Sequence, residues 1–329
     1  MSNPTANDPM VVEVTRGPFV ESTHLVDAVV VDENGPVHGW GNIERLTMPR
    51  SAIKSTQVLP LIASGAADAF AVTDDEVALG ASSHNAEPRH IELVRSWLQR
   101  IGLDEDALEC GPSDPISLDA ARDVWATGQA PGRIHNCCSG KHSGFLTLAR
   151  HLGIDHAGYL DPDHPIQHII RKAQQDVTGV DLSTQTPVID GCGIPVYQFP
   201  LIALAHAMRQ IARPETGPRE LCGAMARVND ALPDRSFLVS GTGRAEFVLS
   251  GHASEPMILK GGAEGVFMGG LPERGLGLAL KAHDGNARAA DQALSAILHT
   301  LGVIPTQVEV GGGLKNCAGT PVGSIRVNL

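Results

Sequence analysis

Strand-forming segments stand near both ends of the chain, and this placement constrains the fold more than any other feature of the sequence. Residues 11–42 contain the β-branched runs VVEVTRG and HLVDAVVVD, and the turn signal Glu33-Asn34-Gly35 leads into PVHGWGN. Residues 236–284 return to strand-like segments broken by glycine, namely SFLVSG, PMILKGG, GVFMGG and GLGLALKAHDG. Segments so distant in sequence share one core most economically by pairing in a single antiparallel sheet.

The stretch between them, from about residue 50 to 230, has helical periodicity. Apolar residues recur at three- and four-residue intervals in IELVRSWLQRIGL, SGFLTLARHLGI, PIQHIIRKAQQDV and FPLIALAHAMRQIA, and ARAADQALSAILHTLGVI predicts a helix near the end. We therefore predict an α+β fold in which helices cover a sheet built from both chain ends. One catalytic domain, residues 1–329, would have a sheet lobe (about 1–48 and 232–329) and a helical lobe (about 49–231). A site is expected in the cleft between such lobes.

Charge and composition exclude several classes of partner. The net charge is −12, from 25 Lys+Arg against 37 Asp+Glu, which disfavours binding to nucleic acid or anionic lipid. No apolar run approaches the roughly 18 residues of a membrane span, and MSNPTANDPM lacks the regions of a secretory signal. Six cysteines are too few for a disulfide scaffold in 329 residues. We expect a cytoplasmic protein with reduced thiols, acting on a small molecule.

Lysine is scarce in this chain. Of the 25 basic residues six are lysine, which leaves 25 − 6 = 19 arginines. Genomic base composition accounts for much of that ratio, but arginine keeps its proton in proteins whereas lysine can act as a base or a metal ligand once neutral. The retained lysines are therefore candidates for chemistry, and they are Lys54, Lys141, Lys172, Lys260, Lys281 and Lys315.

Three short patterns place serine and lysine in an order typical of acyl-transfer enzymes. Ser51-Ala-Ile-Lys54 is a Ser-x-x-Lys, Ser83-His84-Asn85 is a Ser-x-Asn, and Lys260-Gly-Gly ends a predicted strand. The same order occurs in serine β-lactamases and penicillin-binding proteins. A neutral lysine can activate a serine hydroxyl, and two neighbouring lysines each disfavour the other's charge. Taken alone, Ser-x-x-Lys would equally fit a capping serine beside a surface lysine.

Cysteine and histidine are concentrated in two other segments. HNCCSGKH covers residues 135–142 and DGCGIP covers residues 190–195. In a reducing compartment such clusters are typical of a metal or reactive-thiol site, although a half-buried cysteine is often a packing residue. Zn²⁺ would take about four ligands, thiolates and imidazoles first. Adjacent Cys137 and Cys138 point in different directions, so at most one of them would ligate.

Taken together, PRSAIK, SSHN, HNCCSGKH, DGCGIP, SGTG and KGGAEG resemble the asparaginase II family of rhizobial-type L-asparaginases, over roughly residues 10–325. The resemblance implies a serine β-lactamase/glutaminase-like fold, a homodimer, and hydrolysis of L-asparagine to L-aspartate and ammonia. The family's two serine–lysine tandems match Ser51 with Lys54 and Ser83 with Lys260. Its zinc ligands match Cys138, Lys141 and Cys192, for one Zn²⁺ per chain.

Substrate-binding candidates stand beside these matched residues. Arg50, His142 and Asp190 are placed to hold the α-carboxylate and α-amino groups, and His84 and Glu264 are weaker candidates. The sequence departs from the β-lactamase pattern because it has no clear counterpart of the deacylating glutamate. A lysine, or water organised by the two tandems, would have to activate hydrolysis.

The mechanistic hypothesis is attack by Ser51 on the side-chain carboxamide, with neutral Lys54 as base and Ser83–Lys260 protonating the leaving ammonia. Zinc would position substrate or a polar loop. Three alternatives use the same residues differently. A glutaminase or related amidohydrolase would take a longer amide, a zinc hydrolase would attack with metal-bound water, and a β-lactam or amino-acid sensor would bind without turnover.

Overall fold

A computed structural model describes residues 5–6 and 8–329 of the chain. Its strands are β1 Thr5–Ala6, β2 Met10–Arg16, β3 Phe19–Asp32, β4 Gly35–Trp40, β5 Leu46–Thr47, β6 Val188–Ile189, β7 Pro195–Val196, β8 Phe199–Pro200, β9 Ile258–Gly262, β10 Val266–Leu271, β11 Leu276–Ala282, β12 Leu314–Lys315, β13 Pro321–Gly323 and β14 Ile325–Asn328.

The α-helices are α1 Lys54–Gln57, α2 Leu59–Ala63, α3 Ala66–Ala69, α4 Asp74–Gly80, α5 Pro88–Arg100, α6 Leu118–Ala126, α7 Ser139–Leu152, α8 Pro165–Thr178, α9 Leu201–Ala212, α10 Cys222–Ala231, α11 Ser236–Val239, α12 Ala245–Ser250 and α13 Ala287–Thr300. Short 3₁₀ turns cover Arg50–Ile53, Glu105–Ala107, Arg133–His135, Pro214–Thr216, Arg219–Leu221 and Pro233–Arg235. Within the described ranges no helix is long and apolar enough to span a bilayer.

The chain divides into two compact units. The sheet unit consists of the described residues up to Ala52 together with Phe199–Ala212 and Gly243–Leu329, and the helical unit consists of Ile53–Gln198 and Arg213–Thr242. Each unit is formed by segments distant in sequence, so neither could be cut out as one continuous piece. The single catalytic domain and its lobe boundaries stay predictions.

The sheet unit is built around one sheet that joins both ends of the chain. Its strands run in the order β1-β4-β3-β11-β10-β9, and β2 pairs with both β3 and β14. All of these pairings are antiparallel except β1 with β4. The central pairing sets Ala28 of β3 opposite Leu280 of β11. The predicted α+β fold, with an antiparallel sheet from both chain ends, is confirmed.

Helices cover both faces of this sheet. On one face α9 packs so closely that a Cβ on Gly277 would lie 2.0 Å from the Ala205 carbonyl oxygen, so glycine is required there. On the other face Leu278 and Leu280 of β11 join Leu294 of α13 in one buried cluster. Alternate residues of β11 therefore face different helices, which explains why the strand is apolar along nearly its whole length.

The predicted strands in residues 11–42 and 256–284, and the predicted last helix, are confirmed. SFLVSG was expected to be strand-like, and this expectation is wrong because residues 236–239 form helix α11. Its Leu238 and Val239 are buried, and the Ser240 amide donates to the Ser236 carbonyl at 3.1 Å. A short apolar run has no period to separate helix from strand, so packing decides.

In the helical unit α7 is the central element. Every residue from Ser139 to Ala149 is buried, and a Cβ on Gly140 would lie 2.4 Å from the carbonyl oxygen of Leu79 in α4. The helical periodicities assigned to α5, α7 and α8 are confirmed. Because α7 is enclosed on all sides, the polar residues of its first turn point into protein rather than into solvent.

Candidate active site

The Ser51 turn belongs to the sheet unit and is tighter than the sequence predicts. Ser51 was expected to enter a regular helix, but Arg50–Ile53 form a 3₁₀ turn in which Ser51 is half-buried. Arg50, directly before the serine, has φ +49°, a left-handed conformation that is costly for a residue with a side chain. The Ala52 amide donates to the Pro49 carbonyl at 3.0 Å. The serine is therefore presented on a strained turn.

Strand β9 runs directly against this turn within the same unit. A Cβ on Gly262 would lie 2.8 Å from the Ala52 nitrogen and 3.2 Å from the Ser51 nitrogen. Glycine at this position lets the backbone of β9 touch the backbone of the serine turn. Lys260 stands two residues earlier on β9. The structure thus brings the segments that carry Ser51 and Lys260 together.

Lys260 is completely buried and is paired with a carboxylate. Its Nζ lies 3.8 Å from Glu246 Oε1 and donates to the Gly261 carbonyl at 2.5 Å. The sequence analysis did not single out Glu246, since RAEFVLS carries no pattern that points to it. Glu264, a predicted substrate contact, lies in the exposed turn after β9 with φ +64°.

In the helical unit Lys54 is buried and donates to three acceptors. Its Nζ lies 2.5 Å from the Ser82 carbonyl, 3.0 Å from Ser83 Oγ and 3.1 Å from Cys138 Sγ. One member of each predicted tandem, Lys54 and Ser83, are therefore in direct contact. The tandems Ser51–Lys54 and Ser83–Lys260 each take one residue from each unit, and they stay predictions.

The loop that carries Ser83 is anchored to the chain around residues 239–242. The Ser83 amide donates to the Val239 carbonyl at 2.9 Å, and Asn85 Nδ2 donates to the Thr242 carbonyl at 3.0 Å. A Cβ on Gly241 would lie 2.5 Å from Asn85 Cγ, so the SGTG glycine is needed for this approach. Asn85 thus fixes the loop that carries Ser83 to the segment around Gly241.

His84 is buried with both ring nitrogens engaged by protein. Nδ1 accepts the Ala86 amide at 3.1 Å, and Nε2 lies 2.8 Å from Ser139 Oγ, whose hydroxyl donates to the Ile134 carbonyl. Nε2 therefore carries the proton and donates. Burial, followed by the nearby His90 and other basic groups, lowers the pKa of His84 well below its usual value. The ring is neutral and braces the start of α7.

The predicted metal ligands Cys138, Lys141 and Cys192 form one buried cluster. Lys141 Nζ donates to Cys192 Sγ at 2.9 Å, and the Cys138 and Cys192 thiols are hydrogen-bonded to each other. Cys137 is half-buried, with its Sγ 3.9 Å from that of Cys138. Of the adjacent pair, Cys138 is therefore the cysteine that faces Cys192 and Lys141.

Charge in this cluster is concentrated on one sulfur. Hydrogen bonds from Cys137 and Cys192, helped by Lys54 and Lys141, lower the pKa of Cys138 despite its burial. The pKa of Cys192 is raised because its thiol hydrogen-bonds to Cys138 and because it is buried. Burial lowers the pKa of Lys141, but its interactions with Cys192 and Cys138 outweigh burial and raise the pKa.

The donor set is compatible with Zn²⁺. Two thiols and an amine converge in a buried position, and thiolate is a preferred zinc ligand. Across residues 5–6 and 8–329, no three side chains of His, Cys, Asp or Glu are grouped to hold a metal ion. A three-residue metal site in this cluster would therefore depend on Lys141 as the third protein ligand.

His142 and Asp190 lie beside the sulfur cluster. His142 Nδ1 is 2.6 Å from the hydroxyl of Tyr159, which accepts the Glu109 amide and so donates to the ring. Burial, then Lys141, lowers the pKa of His142 well below its usual value. Asp190 is half-buried and accepts the Gly191 amide at 2.7 Å in the turn before Cys192. Tyr159 was missed because nothing around it forms a pattern.

Comparisons with known proteins cover nearly the whole chain. A family model described as L-asparaginase II matches residues 12–327. No curated protein matches. A β-lactamase, Mb2281c from Mycobacterium bovis, is 15% identical, with 85% of this chain and 95% of that chain covered at a TM-score of 0.41. A protein described as a putative beta-lactamase from Bacteroides dorei DSM 17855 is 14% identical, with 84% and 92% covered at a TM-score of 0.43.

Proposed function

The chain belongs to the L-asparaginase II family, and on this premise we propose that it hydrolyses L-asparagine to L-aspartate and ammonia through an acyl-enzyme on Ser51. The resemblance inferred from the sequence motifs is confirmed, and family membership implies an L-asparaginase. The observation that carries the proposal is the family match over residues 12–327. The serine nucleophile, the lysine roles and the metal are the finer parts of the proposal.

In the first step Ser51 Oγ attacks the side-chain carboxamide carbon, and neutral Lys54 takes the hydroxyl proton. The C–N bond then breaks, and the amide nitrogen leaves as ammonia after receiving a proton through Ser83 and Lys260. The hydrogen bond of 3.0 Å from Lys54 Nζ to Ser83 Oγ supports this relay, because it links the proposed base to the proposed donor. Water finally hydrolyses the aspartyl ester and restores the Ser51 hydroxyl.

Recognition of the amino-acid end of the substrate is assigned to charged side chains around these residues. Arg50 would hold the α-carboxylate, and its strained backbone next to Ser51 supports a functional role for this turn. Asp190, half-buried beside Cys192, would hold the α-amino group. His142 is proposed as a further polar contact. His84 and Glu264 stay the weaker candidates.

For the metal we propose that Cys138, Lys141 and Cys192 hold one Zn²⁺. A bound zinc ion would supply positive charge that orders the polar loop and the substrate. Lys141 can ligate only as a neutral amine, so it must give up its proton when the metal binds. Cys192 must likewise be deprotonated, since its pKa is raised in the cluster. The homodimer and the cytoplasmic location implied by the resemblance belong to the same proposal.

Ammonia release by the purified enzyme, with L-asparagine and L-glutamine run in parallel, tests the proposed activity. Ser51→Ala should lower the rate on asparagine by at least ~10³-fold, because the nucleophile is lost, while the protein stays folded. Ser55→Ala is the matched control, a buried serine four residues away that should leave the rate unchanged.

Each alternative predicts its own result in this experiment. A glutaminase would release more ammonia from glutamine. A zinc hydrolase would retain activity in Ser51→Ala and lose it on chelation. A sensor would release none from either amide although the protein is folded and binds ligand. Any of these outcomes would overturn the proposed acyl-enzyme mechanism.

A further inference from the structure

The lysine on β9 shares the interior of the sheet unit with a carboxylate that no motif marks. Lys260 has no exposed surface, Glu246 is 1% exposed, and Lys260 Nζ lies 3.8 Å from Glu246 Oε1. A buried lysine without a counter-charge loses its proton readily, because a low-dielectric interior disfavours the ammonium form. The carboxylate at this distance opposes that loss.

Glu246 is itself fixed against the strand that carries the lysine. Its Oε1 accepts the Gly261 amide at 2.9 Å, and a Cβ on Gly261 would lie 3.0 Å from the same oxygen. Its Oε2 is buried without a hydrogen-bond partner in the part of the chain that the structure describes. The carboxylate is therefore anchored at one oxygen, while its charge is compensated chiefly by the neighbouring lysine.

Other charged groups around the pair support the ionised form of Glu246. Burial raises the pKa of Glu246, but Lys260 first and then Arg244 outweigh it and lower the pKa. Asp291 on α13 interacts electrostatically with Glu246. Burial first, and then repulsion by the Glu246 carboxylate, raise the pKa of Asp291 to about 7. Glu246 is thus the carboxylate of this cluster that carries the negative charge.

We propose that Glu246 is a positioning residue that holds Lys260 as an ammonium ion beside the Ser51 turn, so that Lys260 acts as a fixed cation rather than as a base. This inference rests on the proposed Ser51 acyl-enzyme mechanism. Because Gly262 lets β9 contact the Ser51 backbone, Lys260 is carried by the strand that lies next to the proposed nucleophile. A fixed cation stabilises negative charge that develops on the substrate oxygen during attack.

The ammonium form also fits the proposed proton path. Lys260 gives one proton to the leaving nitrogen through Ser83, and the C–N bond breaks with the electron pair going to ammonia. Hydrolysis of the ester releases a carboxylate and one proton, which restores the Lys260 ammonium. Lys54 passes the proton that it took from Ser51 to the departing ammonia, which leaves as ammonium. Lys54 is then again the neutral base for Ser51, so the two lysines have opposite roles.

Glu246→Gln tests this assignment, because the amide keeps an acceptor for Gly261 but removes the charge. We expect kcat to fall by about 10- to 100-fold with little change in KM. The basic limb of the kcat–pH profile should move to lower pH by about 1–3 units, because Lys260 loses its proton more easily. Glu246→Asp, which keeps the charge, should restore part of both effects.

Asp27→Asn is the matched control in the same unit. Asp27 is 1% exposed and pairs with His283 at 2.9 Å, so its loss should lower stability without moving the pH profile. If the basic limb of Glu246→Gln stays where it is in the wild type, or moves equally in Asp27→Asn, the positioning role is overturned.

A second measurement needs neither turnover nor a variant of Glu246. NMR of protein labelled with ¹³Cε-lysine should give six signals, and Lys260→Arg identifies the one from Lys260. At pH 7 this signal should have the chemical shift of an ammonium, and a neutral amine would overturn the inference. Wild-type protein without ammonia release would reject the proposed function instead, so the two failures are distinguishable.

Discussion

Three of the six lysines are almost completely buried, and the two units surround them differently. Lys260 of the sheet unit faces the carboxylate of Glu246, whereas Lys54 of the helical unit faces a carbonyl, a hydroxyl and a thiol. Lys141, also in the helical unit, faces the sulfurs of Cys138 and Cys192. Lysine is rarely buried without a partner, so each of these environments needs a physical reason.

The difference shows that one residue type is given distinct chemistry by its neighbours. A carboxylate stabilises the ammonium form, so Lys260 is suited to be protonated at the start of each turnover. Lys54 contacts two neutral oxygens and the Cys138 sulfur, whose pKa is lowered, so its nearest negative group is a thiol that can itself take up a proton rather than a carboxylate. Sulfur ligands beside Lys141 make it suited to share a metal. Arginine could take only the first of these roles.

The largest expected effect comes from removing either lysine. Lys260→Met leaves the Glu246 carboxylate buried and uncompensated, so the free energy of unfolding should fall by about 3–5 kcal/mol. Lys54→Met leaves two oxygen acceptors and the Cys138 sulfur without a donor, and because that sulfur can take up a proton instead, the change should cost only about 1–3 kcal/mol. Urea unfolding of both variants measures the difference, and equal costs would contradict the contrast between the two environments.

A double variant sharpens this comparison. Lys260→Met with Glu246→Gln replaces the charged pair by neutral side chains, so it should recover much of the stability that Lys260→Met loses. If the double variant is as unstable as Lys260→Met alone, the cost arises from packing rather than from the buried carboxylate. Activity should stay lost in the double variant, because the proposed cation is absent.

A smaller effect is expected beside Lys141, where the measured quantity is the zinc content. Cys192→Ser removes one proposed ligand next to Lys141. The zinc content, measured by elemental analysis, should therefore fall well below the expected value of about one ion per chain. Cys222→Ser is the control, because this half-buried cysteine is not part of the cluster and should leave the zinc content unchanged. Equal zinc in wild type and Cys192→Ser would remove Cys192 from the ligand set.

Much of this architecture could be predicted from residues 11–42 and 256–284, because alternating and β-branched runs fix strands, and strands at both ends must pair. The six motifs from PRSAIK to KGGAEG, with CSGKH and DGCGIP the most specific among them, likewise pointed to the right family. The helical conformation of Ser236–Val239 could not be predicted, since four residues, three of them apolar, are too few to show a period.

The contacts of the site residues also could not be predicted from the sequence. Glu246 stands 14 positions before Lys260, and the two residues are neighbours because α12 packs against β9. Tyr159 reaches His142 because a loop returns to α7. The strained turn at Arg50 depends on Gly262, more than 200 residues later. These relations arise from tertiary packing, which leaves no local pattern.

The last expected effect is a pH dependence of stability at Asp291, which interacts with Glu246. Asp291 has its pKa raised to about 7 in the folded chain, by burial first and by the Glu246 charge second, against about 3.9 when unfolded. The folded state therefore binds more protons between these values. Stability from Asp291 is fully present below about pH 4 and is lost as pH rises through about 7.

Asp291→Asn should remove this dependence, because asparagine resembles the protonated acid and cannot ionise. Relative to wild type, its free energy of unfolding should rise by up to roughly 1.4 kcal/mol per pH unit between about pH 4 and 7. Urea unfolding at several pH values checks the slope, with the exposed Asp123→Asn as a flat control. Parallel curves for Asp291→Asn and wild type would mean that Asp291 is ionised throughout. The sheet unit would then hold two ionised carboxylates, Glu246 and Asp291, that interact with each other.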